Sequence, residues 1–264
     1  MSERVKLTID NAVATVRMSR PEKRNALDLG MFEGLIQTGK RVMADPTIRA
    51  VVLHGEGKAF CAGLDFASFL GSADSMQKLL AREEDSPANV AQRVAWIWQE
   101  VKVPVIAAVH GVAFGGGLQI ALGADLRYVS ADAQLSVLEI KWGLIPDMSI
   151  TQTLLRLVPV DVVKELTFTG RIVSGSEAVA LGLATRVSSD PLADALETAK
   201  LIATKSPHAI RAGKTLLRDA PGMSRADALK LETALQVGLL GSPNQMEAVQ
   251  ANMMKREPSF KDPE

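Results

Sequence analysis

From Val103 to Ala124 the chain runs 22 residues without a charge, between Lys102 and Asp125. The run opens Val-Pro-Val-Ile-Ala-Ala-Val-His-Gly, passes through Val-Ala-Phe-Gly-Gly-Gly and closes Leu-Gln-Ile-Ala-Leu-Gly-Ala. β-Branched residues followed by glycines predict a buried strand ending in a tight turn, and the composition after Gly117 is helical. Gly115-Gly116-Gly117 therefore falls where a strand hands over to a helix, with backbone N–H groups that no side chain shields. Such a place can hold a phosphate, or stabilise an oxygen that becomes negative only during a reaction. About 20 apolar residues can also cross a bilayer. Five glycines, Pro104, His110, Gln119 and the lack of basic anchors on both sides argue against that reading. A third reading is mere close packing of a helix on a sheet.

The pattern elsewhere alternates strands and helices. Val5–Ile9 and Ala12–Met18 read as a hairpin turning at Asp10-Asn11, followed by the polar loop Ser19–Asn25 and a helix from an Asp28 cap to about Met43. Ala50–His54 is a buried strand, 68–86 a polar and irregular loop, and Pro87–Val101 a helix. Leu126–Ser130 and Gln134–Val137 read as strands, and Asp125 as a cap or turn before them. Ser149-Ile150-Thr151-Gln152 has the form of a capping box, and Ser174-Gly175-Ser176-Glu177 opens another helix. From Asp190 strand signals stop, Ser206-Pro207 starts one helix, and helical sequence runs to about Lys255. The division expected is an α/β core over 1–189 and a helical region over 190–264. That region is Met-rich and apolar on one face, for packing on a partner subunit or over the active site.

Composition narrows the class. With 47% hydrophobic residues and 30 basic against 30 acidic side chains, the chain is globular with no formal net charge, which disfavours a polyanion surface such as nucleic acid requires. The single cysteine, Cys61, excludes an intrachain disulfide and fits a reducing compartment. As a nucleophile Cys61 lacks a histidine nearby in sequence. His54, His110 and His208 are too dispersed for a metal site. No apolar or Arg-rich leader precedes the first strand, so the expectation is a soluble, cytoplasmic protein with no metal and no membrane partner.

A second small-residue motif, Lys58-Ala59-Phe60-Cys61-Ala62-Gly63-Leu64-Asp65, follows the Ala50–His54 strand. Two strands thus end in loops exposing amide N–H groups, the raw material of an oxyanion hole. These segments, with Arg20–Leu27, His110-Gly111-x3-Gly115-Gly116-Gly117 and Glu139–Asp147, resemble the crotonase (enoyl-CoA hydratase/isomerase) superfamily over nearly the whole chain. The resemblance implies a spiral of ββα repeats with C-terminal helices that build homotrimers, often paired into homohexamers. It implies that the Leu64 and Gly116 amides bind an acyl-CoA thioester oxygen. It also implies that CoA lies against Arg24, Ala26, Ala62, Gly63, Leu64 and Asp65, with Ala62 near adenine. The basic loop Arg20/Lys23/Arg24 would be near the phosphates, unless it is a solvated surface loop. No cofactor beyond the CoA of the substrate is implied.

The carboxylates bear on the reaction. Hydratases of the family use two glutamates around one water; the later matches Glu139, but Gln119 stands at the earlier. Glutamine can orient a water or a carbonyl but does not exchange protons near neutral pH. Asp147, eight residues after Glu139, gives a Glu/Asp pair similar to the family's dienoyl-CoA isomerases, which also carry an acid where Gln119 stands. Apolar Leu138, Trp142 and Met148 would raise both carboxyl pKa values; alternatively Asp147 is an ordinary acid at a helix N-terminus. The expected activity is double-bond isomerisation through Glu139 and Asp147, with Gln119 positioning. The alternatives are hydration by Glu139 and a Gln119-held water, or acyl-CoA binding with little catalysis.

Overall fold

The computed structural model describes residues 4–69, 73–82 and 86–263. Strands β1 (Val5–Asp10), β2 (Val13–Met18), β3 (Ala50–Gly55), β4 (Val105–Val109), β6 (Leu126–Val129) and β9 (Arg186–Val187) form one sheet in the order β1-β2-β3-β4-β6-β9. Only β1 and β2 pair antiparallel there; the rest are parallel. A second sheet contains β5 (Val112–Phe114), β7 (Gln134–Ser136) and β8 (Val173–Ser174). Each turn of chain lays one strand in the large sheet and a short one in the small sheet: β4 then β5, β6 then β7. The isolated bridges Leu27↔Leu64 and Cys61↔Ala113 extend the same plan to the preceding turns. This is the expected ββα spiral.

The helices are α1 (Leu29–Ala44), α2 (Phe66–Phe69), α3 (Ala73–Leu80), α4 (Val90–Glu100), α5 (Gly116–Leu122), α6 (Ile150–Thr153), α7 (Val160–Thr169), α8 (Gly175–Leu181), α9 (Pro191–Ala203), α10 (Pro207–Asp219), α11 (Arg225–Leu239) and α12 (Pro243–Met254). Along β3, Val51 and Leu53 face the main core while Ala50 and Val52 face the other side; Val105, Ala107 and Val109 of β4 alternate likewise with Ile106 and Ala108. Strands buried on both faces read as continuous apolar sequence rather than alternation. Ala195 and Ala199 of α9 close the second face, so this helix, the first beyond residue 190, packs directly on the sheet.

Local chemistry accounts for most boundaries. Asp28 caps α1 through the Met31 N–H, Ser174 caps α8 through the Glu177 N–H, and Ser206 caps α10 with Pro207 behind it. Three expectations need correction. The hairpin turns one residue later, at Asn11 and Ala12, whose positive φ values of 48° and 65° match the twist that two-residue hairpins require. The stretch 68–86 is partly helical: α2 ends at Phe69, and α3 buries Leu79 in the core. Its residues 70–72 and 83–85 lie outside the described residues. Ser149 forms no capping box, because at φ 69° its hydroxyl turns away from α6 and donates to the Gln92 carbonyl at 2.9 Å. The capping box lies instead at Asn89 and Gln92, opening α4. Strands β8 and β9, two residues each, carry no periodicity to detect.

Candidate active site

The ends of the short strands meet at one cavity. In the Leu27↔Leu64 bridge the Leu27 N–H donates to the Gly63 carbonyl and the Asp65 N–H to the Leu27 carbonyl, which leaves the Leu64 N–H directed away from Leu27. Alongside it, the Cys61 N–H donates to the Val112 carbonyl and the Phe114 N–H to the Cys61 carbonyl across the Cys61↔Ala113 bridge, bringing Gly63 against the Phe114–Gly116 turn. Neither the Leu64 nor the Gly116 N–H donates to a protein acceptor among the described residues, and both residues line a cavity of about 260 Å³.

The glycines are demanded by separate neighbours. A side-chain carbon on Gly63, which has φ +88°, would lie 2.6 Å from the Phe114 carbonyl oxygen; one on Gly116 would lie 2.7 Å from the Met148 sulfur; one on Gly117 would lie 2.3 Å from the Cys61 carbonyl oxygen. Gly115, at φ +51°, leaves room for the Glu139 carboxylate, whose Oε1 would otherwise be 3.2 Å from its side chain. The triple glycine therefore holds α5 against the second motif and lets the Glu139 carboxylate sit against Gly115.

Glu139 sits on a short turn over residues 139–142. Its Oε1 accepts a 2.6 Å bond from Gln119 Nε2, and its Oε2 is buried with no partner. Burial pushes its pKa above the ordinary carboxylate value; its own backbone amide and Gln119 pull the other way, and nearby Asp147 adds to the rise. Asp147 stands exposed at the mouth, with its pKa also raised by partial desolvation. Leu138, Trp142 and Met148 line the cavity as expected.

Gln119 is engaged by protein groups, where the hydration alternative has it hold a water. It is 1% exposed, and its Oε1 accepts the Met148 N–H at 2.8 Å while Nε2 holds Glu139. The Met148 donor fixes which end of the amide is oxygen. Gln119 thus ties the Glu139 turn to the Asp147-Met148 segment.

The loops assigned to CoA also come together. Ala62 N–H donates to the Arg24 carbonyl at 3.0 Å, and Ala62, Gly63 and Leu64 line the cavity. Arg20 does not belong to a phosphate-facing surface: it is buried, pairing with Asp65 at 2.8 Å and donating to the Ala26 carbonyl at 3.0 Å. The Asp65 carboxylate is thereby engaged inward, with a further 2.8 Å bond from Ser68, while Lys23 and Arg24 remain exposed. Asn25, buried at φ +57°, bonds the Arg20 N–H and the Ala59 carbonyl and so pins the two loops together. Cys61 is buried with its thiol pushed up to about 12 by desolvation, the state of an inert core thiol. Asp125 is bound by Lys214 at 2.7 Å and accepts the Val105 N–H. Among the described residues no group of three or more His, Cys, Asp or Glu could hold a metal.

Sequence reasoning missed the apolar lining, including Phe32, Phe66, Leu79, Ala91 and Ile145. Phe66 stacks on Trp142 with ring centroids 4.3 Å apart. Apolar residues at helical spacing read as ordinary core, so no local signal marked them.

Two free amides and a desolvated carboxylate lining one cavity are the equipment for stabilising an enolate. The model of the family described as enoyl-CoA hydratase/isomerase matches residues 8–263. The chain belongs to this family, the crotonases. An enoyl-CoA hydratase of Mycobacterium tuberculosis is 32% identical, covering 94% of this chain and 92% of its own. A peroxisomal Δ(3,5)-Δ(2,4)-dienoyl-CoA isomerase of Arabidopsis thaliana is also 32% identical, covering 98% and 96%. The crystal structure of an enoyl-CoA hydratase from Bacillus anthracis superposes with a TM-score of 0.90 at 28% identity, covering 98% and 99%. The fold is thus the α/β crotonase fold with two sheets and C-terminal helices, and the chain is a crotonase-type enzyme of acyl-CoA metabolism, a hydratase or an isomerase. The family implies an acyl-CoA substrate and typically uses no cofactor beyond that CoA. No helix among the described residues is long and apolar enough to cross a membrane.

Proposed function

We propose that this crotonase moves a carbon–carbon double bond along an acyl-CoA chain. The thioester oxygen accepts from the Leu64 and Gly116 N–H groups; Glu139 Oε2 removes a proton from a carbon conjugated to the thioester, and the electron pair flows onto that oxygen as an enolate. When the enolate collapses, Asp147 delivers a proton to a different carbon of the conjugated system. The Lys23 and Arg24 side chains face the CoA phosphates, and the Ala62 backbone meets the adenine. The observation that carries the reading is the commitment of Gln119 at both ends. With that amide engaged, Glu139 and Asp147 are the proton-exchanging side chains of the cavity among the described residues.

Hydration is the second reading, favoured by the exposure of Asp147, which gives water a path to the acids. Mass spectrometry of a 2-enoyl-CoA incubated with the protein in heavy water separates the two. Deuterium entering the acyl chain without net addition is the expected result. A product heavier by one D₂O establishes the hydratase, and tight binding without any turnover leaves an acyl-CoA-binding protein.

A further inference from the structure

A larger cavity, of about 570 Å³, opens at the other end of α5, between Leu122–Arg127, the Gln152–Leu157 turn and helix α10. Four basic side chains line it: Arg127, Arg156, Lys214 and Arg218. Two are neutralised, Lys214 by Asp125 at 2.7 Å and Arg218 by Asp219 at 2.6 Å. Arg127 and Arg156 have no carboxylate within ion-pairing distance among the described residues. Arg127 is only 4% exposed; Nε donates to the Leu183 carbonyl and Nη1 to the Ala124 carbonyl, while Nη2 has no protein partner among the described residues. Burial draws the Arg127 pKa down to about 10 against the opposing charge of nearby Asp125, which Lys214 already pairs; a desolvated guanidinium with no ion pair of its own is costly. Leu122, Leu126, Leu157, Ile202 and Ile210 give the wall a broad apolar part, beside the polar Gln99, Gln152 and Thr153 and the Lys214-paired Asp125.

We propose that this cavity binds a small amphipathic carboxylate, its head on Arg127 and Arg156 and its body on the apolar wall. The planar fork of a guanidinium matches a carboxylate, and the apolar wall selects against a bare inorganic anion. The site is separate from the catalytic cavity, with which it shares no lining residue.

The test is calorimetric titration of the full-length chain with octanoate in the presence of saturating CoA. Saturable binding is expected, weakened about tenfold or more in Arg156→Met, which keeps the aliphatic stem of a solvent-exposed side chain. Arg127→Met loses two carbonyl bonds and tests the same point only if it folds, so Arg156→Met decides. Glu139→Gln should bind octanoate as the parent does. The proposal is overturned by absent saturation, unchanged affinity in Arg156→Met, displacement by CoA, sulfate binding as tightly as octanoate, or binding seen only in dissociated chains, where a second copy would be covering the cavity.

Discussion

Glu139 offers one oxygen to Gln119 at 2.6 Å and keeps the other buried and unpaired, an arrangement that costs stability and suits a base. Glu139→Gln preserves shape and removes proton exchange; turnover should fall by about 10²–10⁴-fold while acyl-CoA affinity stays within a few-fold, as steady-state kinetics and calorimetry will show. The linkage has a definite sign. A carboxyl whose native pKa is raised contributes stability that is full below its unfolded pKa and lost as pH rises through the raised native value. Glu139→Gln should therefore melt above the parent at about pH 8, with the gap closing toward about pH 4; a gap independent of pH would contradict the assignment. Removing Gln119 acts on the same carboxyl. Because its amide N–H favours the ionised form, Gln119→Ala should move the acid limb of the kcat/KM profile to higher pH and lower kcat more than it raises KM. That Glu139 and Asp147 fall on one cavity was legible in the sequence through the motif they belong to. The job of Gln119 was not, since its partners lie 20 and 29 residues away in separate segments.

At the scale of elements, the site depends on how closely two loops can approach. The uncharged run and its three glycines announced a strand, a turn and a helix, and β5, Gly115 and α5 follow in that order. Caps with a local partner, as at Asp28, Ser174 and Ser206, were equally readable. Ser149 failed because its backbone conformation is set by packing around Met148 and Gln92, which no four-residue window contains. Gly63 shows the same dependence on distant chain. Ala at this position would combine a positive φ with a 2.6 Å approach to the Phe114 carbonyl, at a cost of about 1–3 kcal/mol. The loop would yield by carrying the Leu64 N–H off its line. Gly63→Ala should accordingly lower kcat by about 10²-fold as well as the melting temperature. Loss of stability with unchanged kcat would separate that amide from the chemistry.

The whole molecule leaves an element unaccounted for. Helix α11 runs fifteen residues and buries none of them, although Leu229, Val237 and Leu240 are among its exposed apolar side chains or adjoin its end. Helices in proteins draw most of their stability from a packed apolar face, and zero formal net charge puts no long-range repulsion in the way of association. Every described residue lining the catalytic cavity lies between Phe32 and Met148, so among the described residues a chain's own tail contributes no lining to that cavity. Both observations are met if the tails of neighbouring copies bury one another and close the site across the interface, as a homotrimer or a pair of homotrimers would. Light scattering should then return three or six times the 28.2 kDa chain. Val237→Glu, which on an isolated chain changes an exposed position and costs within about 0.5 kcal/mol, should lower that mass toward 28.2 kDa. Glu139 and the two amides stay intact in such a variant, so KM for the acyl-CoA should rise while kcat changes little. A parent that runs as a monomer at micromolar concentration, or a dissociated variant with unaltered KM, would show that α11 serves some surface other than its neighbour's active site.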